Sequence, residues 1–264
     1  MRRPHGRTVA LISVTLLALL TFSSCGLGQN SGITSEAHEM HTLYLFVLFM
    51  GLLVGVLVEG AIIYALIRYR RKNDDLPVQT HGSNVIEILW TGIPIIIVIA
   101  LFAYSFIVLR NVEHSESPSD LTVAVEGFQW QWAFTYNMND LGTKTDPNAK
   151  GSFTIQGLAN KEPTLVVPVD EPVEFTLKSN DVIHAFFVRD FLYKLDVIPG
   201  RDNKFTVTPR QTGTFVGQCA EFCGLDHALM RFHLEVVSRA DFDKWVSEQN
   251  VAAPKAVAQP ATTN

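Results

Sequence analysis

Hydrophobic and polar positions give the chain two rhythms: long unbroken apolar runs up to about residue 110, then short alternating bursts. Residues 9–22 form a 14-residue apolar run behind Arg2, Arg3 and Arg7, about 21 Å as a helix. That is short for a membrane span and usual for a cleaved secretory signal, which predicts a signal peptide over 1–24. Residues 42–67 and 88–109 are 26 and 22 long, about 39 and 33 Å of helix, enough to cross a bilayer. Pro94 lies inside the second run, where neighbouring helices can cover the carbonyl it frees. Glu59 interrupts the first run, and an ionisable group at that depth is a functional or interhelical candidate. Arg68-Tyr69-Arg70-Arg71-Lys72 puts four positive charges between the runs. The positive-inside rule then sets loop 68–87 in the cytoplasm and the N-terminus and everything after Arg110 outside, as in a multi-pass plasma-membrane protein.

The bursts fall at 121–125, 128–136, 164–169, 173–177, 205–208 and 232–237, rich in β-branched and aromatic residues. Asn139-Asp140-Leu141-Gly142 and Pro199-Gly200 punctuate them. This spacing predicts an all-β domain, an antiparallel sandwich or Greek-key barrel. Phe128, Trp130, Trp132, Phe134 and Tyr136 alternate on one predicted strand, a pattern that by itself says core. Residues 251–264 are rich in Ala, Pro and Thr and predict a disordered tail.

Composition sharpens this division. Hydrophobic residues reach 47% and charged residues 18%, too apolar for an ordinary soluble protein of 264 residues. The net charge of −5 averages a basic head with an acidic remainder: from Asn111 onward, 13 Lys/Arg against 20 Asp/Glu give −7. An acidic outer region argues against nucleic acid and suits a basic protein partner.

Three cysteines cannot all pair with one another, so each needs its own account. Cys25 follows Ser23-Ser24, as in a lipobox whose cysteine becomes a lipid-modified N-terminus, with Phe22 where Leu is usual; a bystander cysteine is the alternative. The other two belong to Gly217-Gln218-Cys219-Ala220-Glu221-Phe222-Cys223-Gly224-Leu225-Asp226-His227-Ala228-Leu229-Met230, which spaces Cys, Cys, His and Met by four, four and three residues. Thiolate, imidazole and thioether form a soft set suited to copper, and His184 offers a further imidazole upstream. One copper would leave a cysteine surplus; two thiolates can instead bridge two coppers, with His184 and His227 as terminal ligands. A Cys219–Cys223 disulfide and a structural zinc site are the alternatives, and neither accounts for Met230 or His184. His233 lies three residues beyond Met230 on a predicted strand, so it points to the other face and reads as a surface or interface histidine.

The copper loop resembles that of subunit II of cytochrome c oxidase. Gly127-Phe128-Gln129-Trp130-Gln131-Trp132 is similar to the family's aromatic segment. Asp181-Val182-Ile183-His184, Asp196-Val197-Ile198-Pro199-Gly200-Arg201 and Val85-Ile86-Glu87-Ile88-Leu89-Trp90-Thr91 match further blocks, in order from about residue 41 to 237. The resemblance implies a two-helix transmembrane hairpin (within 25–110), a cupredoxin-like Greek-key β-barrel carrying the dinuclear copper A centre (111–240) and a C-terminal tail (241–264). It implies that Cys219 and Cys223 bridge two copper ions, that His184 and Met230 complete one, and that His227 and the Glu221 carbonyl complete the other. The Glu221 side chain would reach a magnesium ion shared with subunit I. Trp130 would receive electrons from a cytochrome c, free or within a supercomplex, and Glu87 would open a proton pathway. The implied activity is passage of those electrons to haem and copper centres of subunit I, where oxygen is reduced to water with proton pumping. No Cys-x-x-Cys-His occurs, so the haems belong to partner subunits.

Departures from the family pattern are Phe128, where a His is often found, and Val188-Arg189-Asp190-Phe191-Leu192-Tyr193-Lys194, which lacks the family's Pro and Gly. They put the subunit boundary near that loop in question, not the copper ligands. Among rivals, quinol oxidase subunits lack the copper ligands, and nitrous oxide reductases carry a large His-rich domain missing here. A nitric oxide reductase with a copper centre and a membrane-tethered copper-delivery module remain as alternatives.

Overall fold

A computed structural model describes residues 31–71, 79, 81–113, 119, 121–137, 152–158 and 161–252. The segment 1–24 read as a signal peptide, Cys25, residues 72–78 and 80 of the basic loop and the tail from 253 lie outside them.

Two long helices come first: α1 (Ser35–Arg68) and α2 (Asn84–Glu113), 34 and 30 residues, long and apolar enough to cross a membrane. Both overrun the apolar runs. α1 starts early because Thr34 caps it, its hydroxyl accepting the Ala37 N–H at 3.0 Å. Pro94 sits inside α2. The helices meet through the first half of α1 and the second half of α2, where Phe46 and Tyr104 stack edge-to-face at 5.2 Å and Asn111 donates to Glu39 at 3.0 Å. From Gly51 to Arg68 every α1 residue is exposed, Glu59 included.

Ten strands follow: β1 (Leu121–Phe128), β2 (Gln131–Asn137), β3 (Ser152–Gln156), β4 (Thr164–Pro168), β5 (Val173–Ser179), β6 (His184–Val188), β7 (Tyr193–Val197), β8 (Asn203–Val207), β9 (Gly213–Cys219) and β10 (Arg231–Val237). They form two five-stranded sheets, ordered β3-β2-β1-β5-β8 and β4-β10-β9-β6-β7. The sandwich is the expected cupredoxin-like domain, with one correction: β1 pairs with β5, and β10 with β4, in parallel rather than antiparallel register. The predicted aromatic strand is also broken in two, because the chain turns at Gln129 and Trp130 between β1 and β2. Trp132, Phe134 and Tyr136 alone take the core positions foreseen for that strand.

Alternation produces the core. Leu121, Val123 and Val125 of β1 and Val173, Phe175 and Leu177 of β5 point inward against Phe232, Leu234 and Val236 of β10. Phe186 joins the layers, its ring 5.0 Å from Phe232, 5.6 Å from Phe175 and 5.9 Å from Trp132. A third helix, α3 (Arg239–Ala252), occupies part of the segment read as tail. Its Phe242 and Val246 are buried, and Trp245 meets Tyr136 at 5.2 Å.

The start of α1 is tied to the sandwich. Ile33 donates its N–H to the Asp190 carbonyl (2.8 Å) and accepts from the Arg210 N–H (2.6 Å), while the buried Glu36 carboxylate accepts the Thr208 N–H at 3.1 Å. The atypical loop lies here as a short 3-10 turn, Arg189–Phe191, closed by Leu192 in the left-handed region at φ +53°. That is the conformation a glycine would adopt freely, so Leu192 carries local strain, held by the buried Phe191 beside it.

Candidate metal centre

The end of one strand, the beginning of another and the loop between β9 and β10 converge at one end of the sandwich. Cys219 is the last residue of β9, and β9 pairs with β6 so that Phe186 faces Cys219. His184 opens β6 two residues earlier, which brings its Nδ1 to 3.8 Å from Cys219 Sγ. The loop then folds back: Cys223 Sγ lies 3.8 Å from Cys219 Sγ, 3.5 Å from His227 Nδ1 and 3.8 Å from Met230 Sδ. The Glu221 carbonyl is 3.3 Å from Cys219 Sγ. His184, Cys219, Cys223 and Met230 are buried.

Backbone bonds fix this fold-back. The Met230 carbonyl accepts from the Cys219 N–H at 2.9 Å and from buried Trp132 Nε1 at 3.4 Å. The Ala220 N–H reaches the Ala185 carbonyl at 3.1 Å. Two glycines make the approach possible. A Cβ on Gly217 would fall 1.9 Å from the Phe232 ring, and Gly224 sits at φ +121° against Gln129 and Trp130.

Both cysteines are free, with sulfurs too far apart for the disulfide alternative. Burial pushes the Cys219 thiol up, but hydrogen bonds from His184 and from the backbone at Glu221 and Ala185 outweigh it and bring the pKa down to about 6. Burial and then the charge of Cys219 push Cys223 up to about 12. Burial disfavours a charged His184, but Cys219 and Asp181 more than offset it and raise its pKa. The group packs Cys219 Sγ at 3.8 Å from both the Cys223 sulfur and the His184 imidazole. Two sulfurs, two imidazoles, a thioether and a carbonyl are a donor set that fits copper.

Trp130 lies partly buried at the β1–β2 turn, where its Nε1 donates to the Cys223 carbonyl at 3.1 Å; Gln129 Nε2 donates to the same carbonyl at 2.8 Å. The Glu221 side chain is exposed, as are Phe222, Leu225 and Leu229 around it. Glu87 is far along the chain in the first turn of α2, beside a groove lined by Asn84, Ile88, Thr91 and Gly92. His233 turns away from Met230 and pairs with Glu162 at 3.2 Å. Sequence reading took Asp181 only as part of a motif. Its carboxylate accepts from His184 Nε2 at 3.0 Å, and burial, which would raise its pKa, is overcome by hydrogen bonds from His184 and from Gln129 and Val182 N–H groups that lower it.

Comparison with known proteins gives this geometry a family. A model described as the periplasmic domain of cytochrome c oxidase subunit II matches residues 121–237, and one for that subunit's transmembrane domain matches residues 23–108. A probable cytochrome c oxidase subunit 2 of Rickettsia bellii is 33% identical over 93% of this chain and 93% of that one. One from Streptomyces avermitilis is 38% identical over 90% of this chain and 85% of its own length. Among solved structures, the periplasmic domain of subunit II of the Bradyrhizobium japonicum cytochrome oxidase is 35% identical, covering 51% of this chain and 96% of that one at a TM-score of 0.43. Matches that span the hairpin and the β-domain alike, at these identities and nearly end to end, leave one assignment: the chain belongs to the cytochrome c oxidase subunit II family, a subunit type of an oxidoreductase complex.

Proposed function

We propose that this chain is the electron-accepting subunit of a cytochrome c oxidase, taking electrons from a cytochrome c and passing them to the haem and copper centres of subunit I for reduction of oxygen with proton pumping. The observation that carries this reading is the convergence of four further donors on two neighbouring cysteine sulfurs at one end of the sandwich. Cys219 and Cys223 would bridge two copper ions, His184 and Met230 would complete one, and His227 with the Glu221 carbonyl the other. When bound, a thiolate-bridged copper pair takes up and releases one electron with little change in geometry. The chain's part is to hold these donors rigid: β6 and β9 are locked by ladder bonds, and four of the five donor side chains are buried away from water.

The indole of Trp130, bonded to the Cys223 carbonyl, offers a π-system between the surface and the thiolates, which supports its role as the position that receives electrons. The excess of acidic residues beyond Asn111 would draw a basic donor toward the domain, less strongly as salt rises. The exposed Glu221 carboxylate would reach a magnesium ion at the boundary with subunit I, and Glu87 would receive protons for that subunit from the cytoplasmic side. The charges of Arg68, Arg70 and Arg71 support a multi-pass plasma-membrane topology with loop 68–87 inside and the β-domain outside. Cys25 would carry a lipid once the signal segment is removed.

Rapid mixing of the assembled oxidase with its reduced cytochrome c tests this reading. An absorbance change belonging to the copper pair should precede haem reduction, and Cys219→Ser should remove it together with turnover. Haem reduction at the wild-type rate in Cys219→Ser would overturn the proposal.

A further inference from the structure

We infer that Asp181 is a positioning residue for the copper centre, tying the orientation of His184 to the placement of the Trp130 turn through one carboxylate. The inference rests on the copper reading above and goes beyond it, because Asp181 touches no donor sulfur and sits outside the ligand loop.

The geometry is specific at both oxygens. Oδ1 accepts from His184 Nε2 at 3.0 Å, from the Val182 N–H at 2.6 Å and from Ser179 Oγ at 3.1 Å. Oδ2 accepts from the Gln129 N–H at 2.7 Å. His184 is fully buried, and its ring spends Nε2 on Asp181 while Nδ1 faces Cys219 Sγ. The carboxylate thus selects the tautomer with its proton on Nε2 and leaves the Nδ1 lone pair for a metal. The carboxylate is itself anchored: Ser179 closes a turn by sharing its one hydroxyl hydrogen between Oδ1 and the nearer Val182 carbonyl at 2.6 Å, and Ser179 is the last residue of β5.

The second oxygen extends the network. Gln129 is held at its backbone by Asp181, and its side chain, with that of Trp130, binds the Cys223 carbonyl. One carboxylate therefore joins the strand-borne ligand His184 to the turn that presents Trp130, and through that turn to the loop carrying Cys223. Trp132 packs on the same imidazole at 6.2 Å, so the His184 ring has no free direction in which to relax. An outer partner of a metal-binding histidine tunes the ligand as well as orienting it: negative charge on Nε2–H makes the imidazole a stronger donor and favours the oxidised metal.

The test uses full-length chains in the assembled oxidase, with Asp181→Asn, Asp181→Ala and, as a remote carboxylate control, Glu162→Gln. Asp181→Asn keeps the size but loses the charge and one of the two acceptor oxygens, so the reduction potential of the copper pair should rise and its hyperfine pattern change. Asp181→Ala should in addition lose copper to a chelator, with affinity lower by about 10–100-fold. Glu162→Gln should match wild type. A fold-stabilising carboxylate without a role at the metal would lower the melting temperature and leave potential and spectrum alone, and that result overturns the inference. If Asp181→Ala does not assemble, the potential of Asp181→Asn decides alone. A wild-type oxidase without two coppers would sink the copper reading and this inference with it. An unchanged centre in Asp181→Asn sinks only the inference.

Discussion

The second half of α1 and the end of the sandwich proposed to hold copper, its copper end, are built on opposite terms. Between Gly51 and Arg68 every α1 residue is exposed, and a Cβ added to Gly51, Gly55 or Gly60 would find no atom of the described residues within 4 Å. At the copper end, one methyl on Gly217 would strike the Phe232 ring, and each ligand is held by strand pairing or backbone hydrogen bonds. The first region has a fold set by helix propensity and by surroundings that the chain does not supply. The second is specified from within. Lesions at the copper end should therefore register in the chain itself, whereas lesions in the hairpin should register in the membrane assembly.

The largest contrast pits Phe232→Ala against Ile96→Ala. Phe232 is fully buried against the rings of Trp132, Phe134 and Phe186, and its loss should cost about 3–5 kcal/mol of β-domain stability. Ile96, 68% exposed on α2, should change that stability by no more than about 0.5 kcal/mol. Thermal unfolding of the solubilised protein compares them, and equal losses would break the division. Next comes Trp130→Ala, which leaves every donor atom in place. Electron transfer from cytochrome c should slow severely while two coppers stay bound and donor affinity changes little. Transfer at the wild-type rate would return Trp130 to a packing role. Glu87→Ala should act only in the assembly, slowing haem reduction in subunit I while copper reduction stays fast; unchanged turnover would leave Glu87 as an interfacial carboxylate. The smallest effect is expected of Leu192→Gly, where relief of left-handed strain and loss of the side chain's packing oppose each other. A change within about 1 kcal/mol in unfolding free energy is predicted, and a larger loss would show that Leu192 anchors the α1 start more firmly than its geometry suggests.

The two regions also differed in how legible they were in the sequence. Uninterrupted runs announce the spans, and only the helix ends were misjudged, because Ser35 to His41 continue α1 through polar residues held by the sandwich. The residues that cluster at that end were legible because their spacing in the sequence does not follow packing alternation. Much of the surrounding fold was not. β9 carries Gly213, Gly217 and Gln218, which dilute its alternation, yet Gly217 is there to admit Phe232. α3 shows its buried face in only three residues, Phe242, Trp245 and Val246, within a polar stretch. The parallel pairings of β1 with β5 and β10 with β4 join segments 45 or more residues apart, so no local pattern encodes them. Asp181 was visible as a residue, but its bond to Gln129 spans 52 positions and exists only once β1 and β5 lie side by side in their sheet.

The central claim, that the copper end holds a metal pair rather than a single ion or a disulfide, is tested most directly by electron paramagnetic resonance on the assembled oxidase with copper counted in the same sample. The account predicts two coppers per chain at this site and an unpaired electron shared between them, with more hyperfine lines than one copper nucleus can produce. It predicts that Cys219→Ser and Cys223→Ser each abolish that pattern. A single-copper spectrum in the wild-type protein, or a shared-electron spectrum that survives either substitution, would contradict it.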